Sequence, residues 1–158
     1  MVFAGRLPIG YVRGGRKERT DDDWDSVTAA IELDPDWLTP EALLGLDSFS
    51  HAEVIYHFHQ SLPESIVTTA RHPRGNTRWP LTGIFAQRGR FRPNLLGITT
   101  CRIIRVSGAS LLVQGLDAID GTPVLDIKPY MTEFAPRGEI YQPDWSRQLM
   151  REYWKKSS

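Results

Sequence analysis

The chain has 158 residues, the usual size of one domain and long enough to bury a core without disulfide or metal staples. Apolar residues make up 41% and charged residues 24%, which excludes a disordered or fibrous class. Nineteen basic side chains cancel nineteen acidic ones, so no net field draws the protein onto nucleic acid and any RNA contact must be local.

Phe3 to Val12 mixes apolar residues with glycines and predicts a first strand, followed by a polar, glycine-bearing loop over Arg13 to Asp23. Val27 to Leu33 predicts a second strand, stopped by the turn signal Asp34-Pro35. Thr39 ahead of Pro40, with Gly45 behind Leu43 and Leu44, predicts a short capped helix over Leu38 to Leu46. From His51 to His59 the alternation is strict: Ala52, Val54, Tyr56 and Phe58 fall on one face, His51, Glu53, Ile55, His57 and His59 on the other. A polar connection through Pro63, Pro73 and Pro80 leads to a predicted strand over Leu81 to Gln87. Ile98 to Val106 and Ala109 to Gln114 form a hairpin pair around Ser107-Gly108. Leu125 to Ile127 predicts a short last strand, and Trp145, Leu149 and Trp154 a C-terminal helix over Pro143 to Trp154. Many short strands with few helices predict a mainly β single domain, a barrel or strongly curved sheet, because closure removes exposed edges.

The lone Cys101 excludes an internal disulfide and lies in an apolar run, which favours a buried structural thiol over a nucleophile. No run approaches the roughly 20 apolar residues of a membrane span, and the start of the chain lacks the charged-then-apolar order of a signal peptide. The expected location is the cytoplasm.

Three clusters carry candidate chemistry. Leu116 to Tyr130 holds Asp117, Asp120 and Asp126 around Gly121 and Pro123, a turn able to aim carboxylates and main-chain groups at one spot. The plainer alternative is a capped turn in which Asp120 bonds its own loop and Asp126 pairs with Lys128. Phe85 to Asn94 is a basic turn whose guanidinium groups suit a carboxylate or a phosphate. Together with Arg71, Arg74 and Arg78 it makes a basic middle of the chain, while acids dominate Asp21 to Glu41. His51, Glu53, His57 and His59 share one strand face, so a metal site is a further alternative, although ligands from elsewhere would have to close it. Neither a glycine-rich phosphate loop nor a nucleophile elbow is present.

These motifs resemble the TsaA-like (TrmO-type) family of methyltransferases that use S-adenosylmethionine (SAM). The resemblance runs through Ile9-Gly10-Tyr11-Val12-Arg13, Gly45 to His51, Phe58-His59-Gln60, His72-Pro73-Arg74-Gly75, Gly83 to Arg88, Arg92-Pro93-Asn94 and Leu116 to Tyr130. It implies a single-sheet, closed or nearly closed β-barrel with a few short helices, including one at the C-terminus. It further implies a SAM-binding homodimer with the cofactor near the subunit interface. By motif position, His59, Gln60, Arg88, the turn from Asn94 to Ile98, and Leu116-Asp117 correspond to cofactor-contacting positions, with Arg88 on the cofactor carboxylate and Asp117 or backbone near Leu116 on its adenosine part. Trp24 is expected to pack on the cofactor with Asp25 beside it, and Asp25 or Asp120 to take the proton lost by the methyl acceptor. Asp120, Asp126, Lys128 and Tyr130 would shape the pocket.

Two features depart from the family pattern. Thr20 to Val27 is acidic and aromatic where tRNA-modifying members carry a Pro-Arg-Gln-like element, and Arg92 to Gly97 lacks a second proline. The chain also ends soon after Trp154, without the extra C-terminal domain of enterobacterial-type members. The acceptor is therefore left open between the N6 position of a modified tRNA adenosine and another nucleophile, and a SAM-binding sensor without transfer is the alternative class.

Overall fold

A computed structural model describes residues 8–155. Strands β1 (Gly10–Arg13), β2 (Thr28–Leu33), β3 (His51–His57), β6 (Leu96–Ser107), β7 (Ser110–Gln114) and β8 (Pro123–Pro129) close into one antiparallel barrel, in the order β1-β2-β7-β6-β3-β8 with β8 returning to β1. Two short strands outside it, β4 (Ala70–Arg71) and β5 (Thr82–Gly83), pair with each other. A helix, α1 (Asp144–Met150), follows the last barrel strand. The mainly β barrel with a short C-terminal helix is thus as the sequence predicts. Of the expected first strand, residues 3–7 lie outside the described residues.

The interior is filled by side chains that alternate inward. Val12, Ile31, Val54, Leu111, Val113 and Val124 are all fully buried, and the inner face of β3 is the expected one, with Ala52, Val54 and Tyr56 inside. Cys101 is also buried, and burial followed by the charge of Asp117 pushes its thiol up to about 12, which makes it an inert structural group.

Three elements differ from expectation. Leu81 to Gln87 is not one strand: only Thr82–Gly83 pairs, and Ile84–Ala86 turns in a 3-10 helix. Its apolar residues are split, Ile84 buried while Leu81 and Phe85 are exposed, so no single face exists to sit in a sheet. Leu38 to Leu46 forms no α-helix but a 3-10 turn at Pro40–Leu43, with a second at Leu46–Ser48; Gly45, at φ 86°, separates them. Conversely, the last strand is longer than predicted, because β8 pairs with both β1 and β3 and the barrel extends it beyond its apolar centre.

Candidate functional site

The geometry centres on Asp117, in the segment after β7. Tyr56 Oη donates to its Oδ1 at 2.9 Å, Thr99 Oγ1 donates to the same oxygen, and Tyr153 Oη donates to Oδ2. Tyr56 reaches this spot from the inner face of β3, where the strand's alternation places it. Gly97 makes room for it: a Cβ there would lie 2.5 Å from the Tyr56 ring. Burial, followed by the charge of Asp117, raises the phenol pKa of both Tyr56 and Tyr153, so both are neutral donors. Three hydroxyls therefore occupy about three of the four acceptor positions of one carboxylate. Leu116 is buried in the core, which leaves only its backbone to face a ligand.

The basic turn converges on the same place. Arg88 donates through Nη2 to the carbonyl of Ile98 at 3.0 Å, joining the turn to the start of β6. Ile98 adjoins Thr99, whose hydroxyl bonds Asp117, and the charges of Arg74 and Arg88 both pull the Tyr153 phenol back toward a lower pKa. The other arginines of the cluster serve the loop itself: Arg92 Nη1 donates to the Gln87 carbonyl at 2.7 Å, and Arg71 and Arg90 lie over the Phe91 ring at 5.0 and 4.9 Å. Asn94 is exposed, and Leu95 behind it adopts φ 53°, a left-handed conformation that bulky residues seldom take. That turn seats Leu95 in the interior and lets its carbonyl accept the Phe58 N–H at 2.8 Å.

His59 arrives next to the carboxylate turn, its Nε2 3.8 Å from where a Cβ on Gly121 would stand. Burial lowers the pKa of both His57 and His59, and the neighbouring charge of His59 lowers His57 further. The backbone of Gln60 accepts from Arg19 at 3.2 Å. His51 sits at the opposite end of β3, roughly 20 Å from His57 at about 3.3 Å per residue, and among the described residues no group of three His, Cys, Asp or Glu side chains is placed to hold a metal ion.

Other predicted residues are placed differently from the roles proposed for them. Trp24 is 3% exposed, and the guanidinium of Arg16 covers its ring at 4.1 Å, so that face is taken. Asp120 is a clasp: its Oδ1 accepts the Gly14 N–H at 2.9 Å and its own N–H donates to the Arg16 carbonyl. Asp126 caps the Ile127 N–H and pairs with Lys128 at 3.7 Å, the plainer of the two readings of that turn. Asp25 lines a cavity of about 160 Å³ with His51, Arg102, Gln114 and Trp154. This volume is below the several hundred Å³ that a drug-sized ligand fills.

The sequence reading missed Tyr56, Thr99 and Tyr153. The alternation of β3 puts Tyr56 inside, and a buried tyrosine hydroxyl demands a partner, so a polar group within the core was inferable. Nothing in the pattern couples Tyr153 to a carboxylate 36 residues upstream. The acidic loop was also not connected to its partner: Arg74 Nη2 donates to Asp22 Oδ1 at 3.0 Å and its Nε lies 3.8 Å from Asp21 Oδ2.

Against known proteins, residues 19–135 match the tRNA-methyltransferase O N-terminal domain. The chain is 35% identical over 134 residues to the tRNA (adenine(37)-N6)-methyltransferase of Escherichia coli, covering 78% of this chain and 56% of that protein. It is 34% identical over 143 residues to a probable S-adenosyl-L-methionine-binding protein of Pyrococcus abyssi, covering 84% and 71%. A crystal structure of TrmO from Pseudomonas aeruginosa superposes with TM-score 0.65 at 32% identity, over 84% of this chain and 59% of that one. The chain spans about half the length of several of the curated relatives it matches.

Proposed function

The chain belongs to the tRNA-methyltransferase O N-terminal domain family, and from that premise we propose that it binds SAM at the convergence of Arg88 with the Leu116–Asp117 segment and transfers its methyl group. The observation that carries the proposal is that convergence: two turns distant in sequence, both within the family-matched residues, meet around one hydroxyl-clamped carboxylate. When bound, SAM supplies an electrophilic methyl group on a sulfonium.

The residues present fit such a group. Arg88 spends one N–H on Ile98 and keeps others for the carboxylate of the cofactor. Asp117 retains about one acceptor position, suited to a single ribose hydroxyl or amine, while backbone near Leu116 is left to read the adenine edge. The protein's contribution to an in-line displacement is alignment of the reacting groups. Asp120 is committed to Gly14 and Arg16, which leaves Asp25 as the candidate to receive the acceptor's proton.

The acceptor proposed is the N6 amine of a tRNA adenosine, as the name of the Escherichia coli relative states for that protein. The assembly proposed is a homodimer with the cofactor near its interface. Phe85 at 77% exposure and Ile98 at 45% flank Arg88, and apolar side chains so placed suit a second copy. The proposed location is the cytoplasm. Incubation with methyl-labelled SAM and fractionated cell extract tests the function: label is expected in RNA, recovered as N6-methylated adenosine. Label in a protein or small-molecule fraction would reassign the acceptor, and label in none would make the chain a SAM-binding module.

A further inference from the structure

The C-terminal segment reaches back across the barrel. Gln148 Oε1 on α1 accepts the Trp79 Nε1–H at 2.9 Å. The carbonyls of Glu152 and Tyr153 then accept the N–H groups of Asp23 at 3.1 Å and Trp24 at 2.9 Å. Tyr153 thus links the candidate site to a neighbouring element, its hydroxyl on Asp117 Oδ2 and its backbone on the loop before β2. It lies beyond residues 19–135, so the family match assigns it nothing.

The hydroxyl has a specific mechanical consequence. Tyr56 and Thr99 both bind Oδ1 and restrain that oxygen, and the terminal torsion of the side chain is intrinsically broad, so the second oxygen is held only as well as its own donor holds it. Tyr153 is the donor on Oδ2, and it fixes the plane of the group. A phenylalanine would fill the same space without doing so. The ring is braced edge-to-face by Trp154, with centroids 5.0 Å apart, which holds the hydroxyl in place.

We propose that Tyr153 is a positioning residue of the cofactor site, its hydroxyl orienting the Asp117 carboxylate while its carbonyl pins the Asp23–Trp24 loop. The inference rests on the SAM reading above. It makes the C-terminal segment a strap that sets cofactor affinity from outside the family-matched region.

Calorimetric titration of SAM into wild type and Tyr153→Phe, with amide hydrogen exchange on both, tests it. The expected result is a dissociation constant raised about tenfold or more, the effect of losing one hydrogen bond to a charged group. Faster exchange is expected at Asp23 and Trp24, with β3 and β6 unchanged; a merely structural role would speed exchange throughout the barrel. Equal affinity in the two proteins overturns the inference while leaving the SAM reading intact. No binding by wild type at millimolar SAM overturns the SAM reading and the inference with it. Should Tyr153→Phe fail to fold, Gln148→Ala at an exposed position loosens the strap from its other end, and unchanged exchange at Asp23 and Trp24 in that variant overturns the strap.

Discussion

Tyr56 joins the core to the site through one oxygen, which lies 3.2 Å from Thr99 Oγ1 and donates its proton to Asp117. Replacing it by phenylalanine keeps the ring that Gly97 accommodates but leaves the carboxylate short of a donor, at a cost of about 1–3 kcal/mol. Urea unfolding of Tyr56→Phe is expected to show a lower midpoint at unchanged slope. The histidines give a pH dependence. Burial holds the folded pKa of His57 and His59 below the unfolded value of 6.5, so their contribution is fully present above 6.5. As pH falls from 6.5 through the folded values, the unfolded chain takes up protons first and stability declines. Unfolding followed from pH 8 to pH 5 should show that decline, flattened in His57→Gln/His59→Gln. The inward place of Tyr56 was legible in the alternation of β3, but the three-hydroxyl clamp was not, because Thr99 and Tyr153 come from other elements and no local spacing encodes them.

Strand β6 runs for 12 residues and serves two neighbours, pairing with β3 over Leu96 to Arg102 and with β7 over Arg102 to Ser107, the latter ladder interrupted by a register shift between Ile103 and Arg105. Its entry is closely packed. A methyl group at Gly97 would meet the Tyr56 ring, so Gly97→Ala is expected to cost about 1–3 kcal/mol by overpacking. It should also weaken SAM binding by displacing the Tyr56 hydroxyl, with a depressed melting temperature and a raised Kd as the two readouts. The β3 alternation and the hairpin around Ser107-Gly108 were readable because both follow strict local rules, period two and a glycine turn at φ 57°. Leu81 to Gln87 misled because composition alone does not say where an apolar run is split between core and surface. The length of β8 was hidden for the opposite reason: barrel closure recruits polar residues such as Asp126 and Lys128 into a ladder.

The whole molecule is electrically balanced, and the structure places part of that balance locally. Arg74 of the basic turn is paired with Asp21 and Asp22 of the acidic loop, which lies against the strap through Asp23 and Trp24. These partly exposed pairs contribute little stability, about 0–1 kcal/mol each. Their larger effect is on charge: Asp21→Asn/Asp22→Asn frees Arg74 and removes two negative charges beside the site. RNA binding by that variant should tighten and become steeper in salt than wild type, read by fluorescence anisotropy between 50 and 200 mM salt, roughly the range over which phosphate contacts are most sensitive. The acid and base clusters were visible in the sequence as opposing runs; their mutual neutralisation depends on the fold bringing residues 21–22 and 74 together. The central claim, that Arg88 and the Leu116–Asp117 segment form a SAM site, is tested most directly by titrating SAM into wild type and Arg88→Ala. Binding by wild type, weakened at least tenfold in Arg88→Ala with the melting temperature in the absence of SAM unchanged, is the predicted result. Equal binding by both proteins, or none by wild type at millimolar SAM, would contradict it.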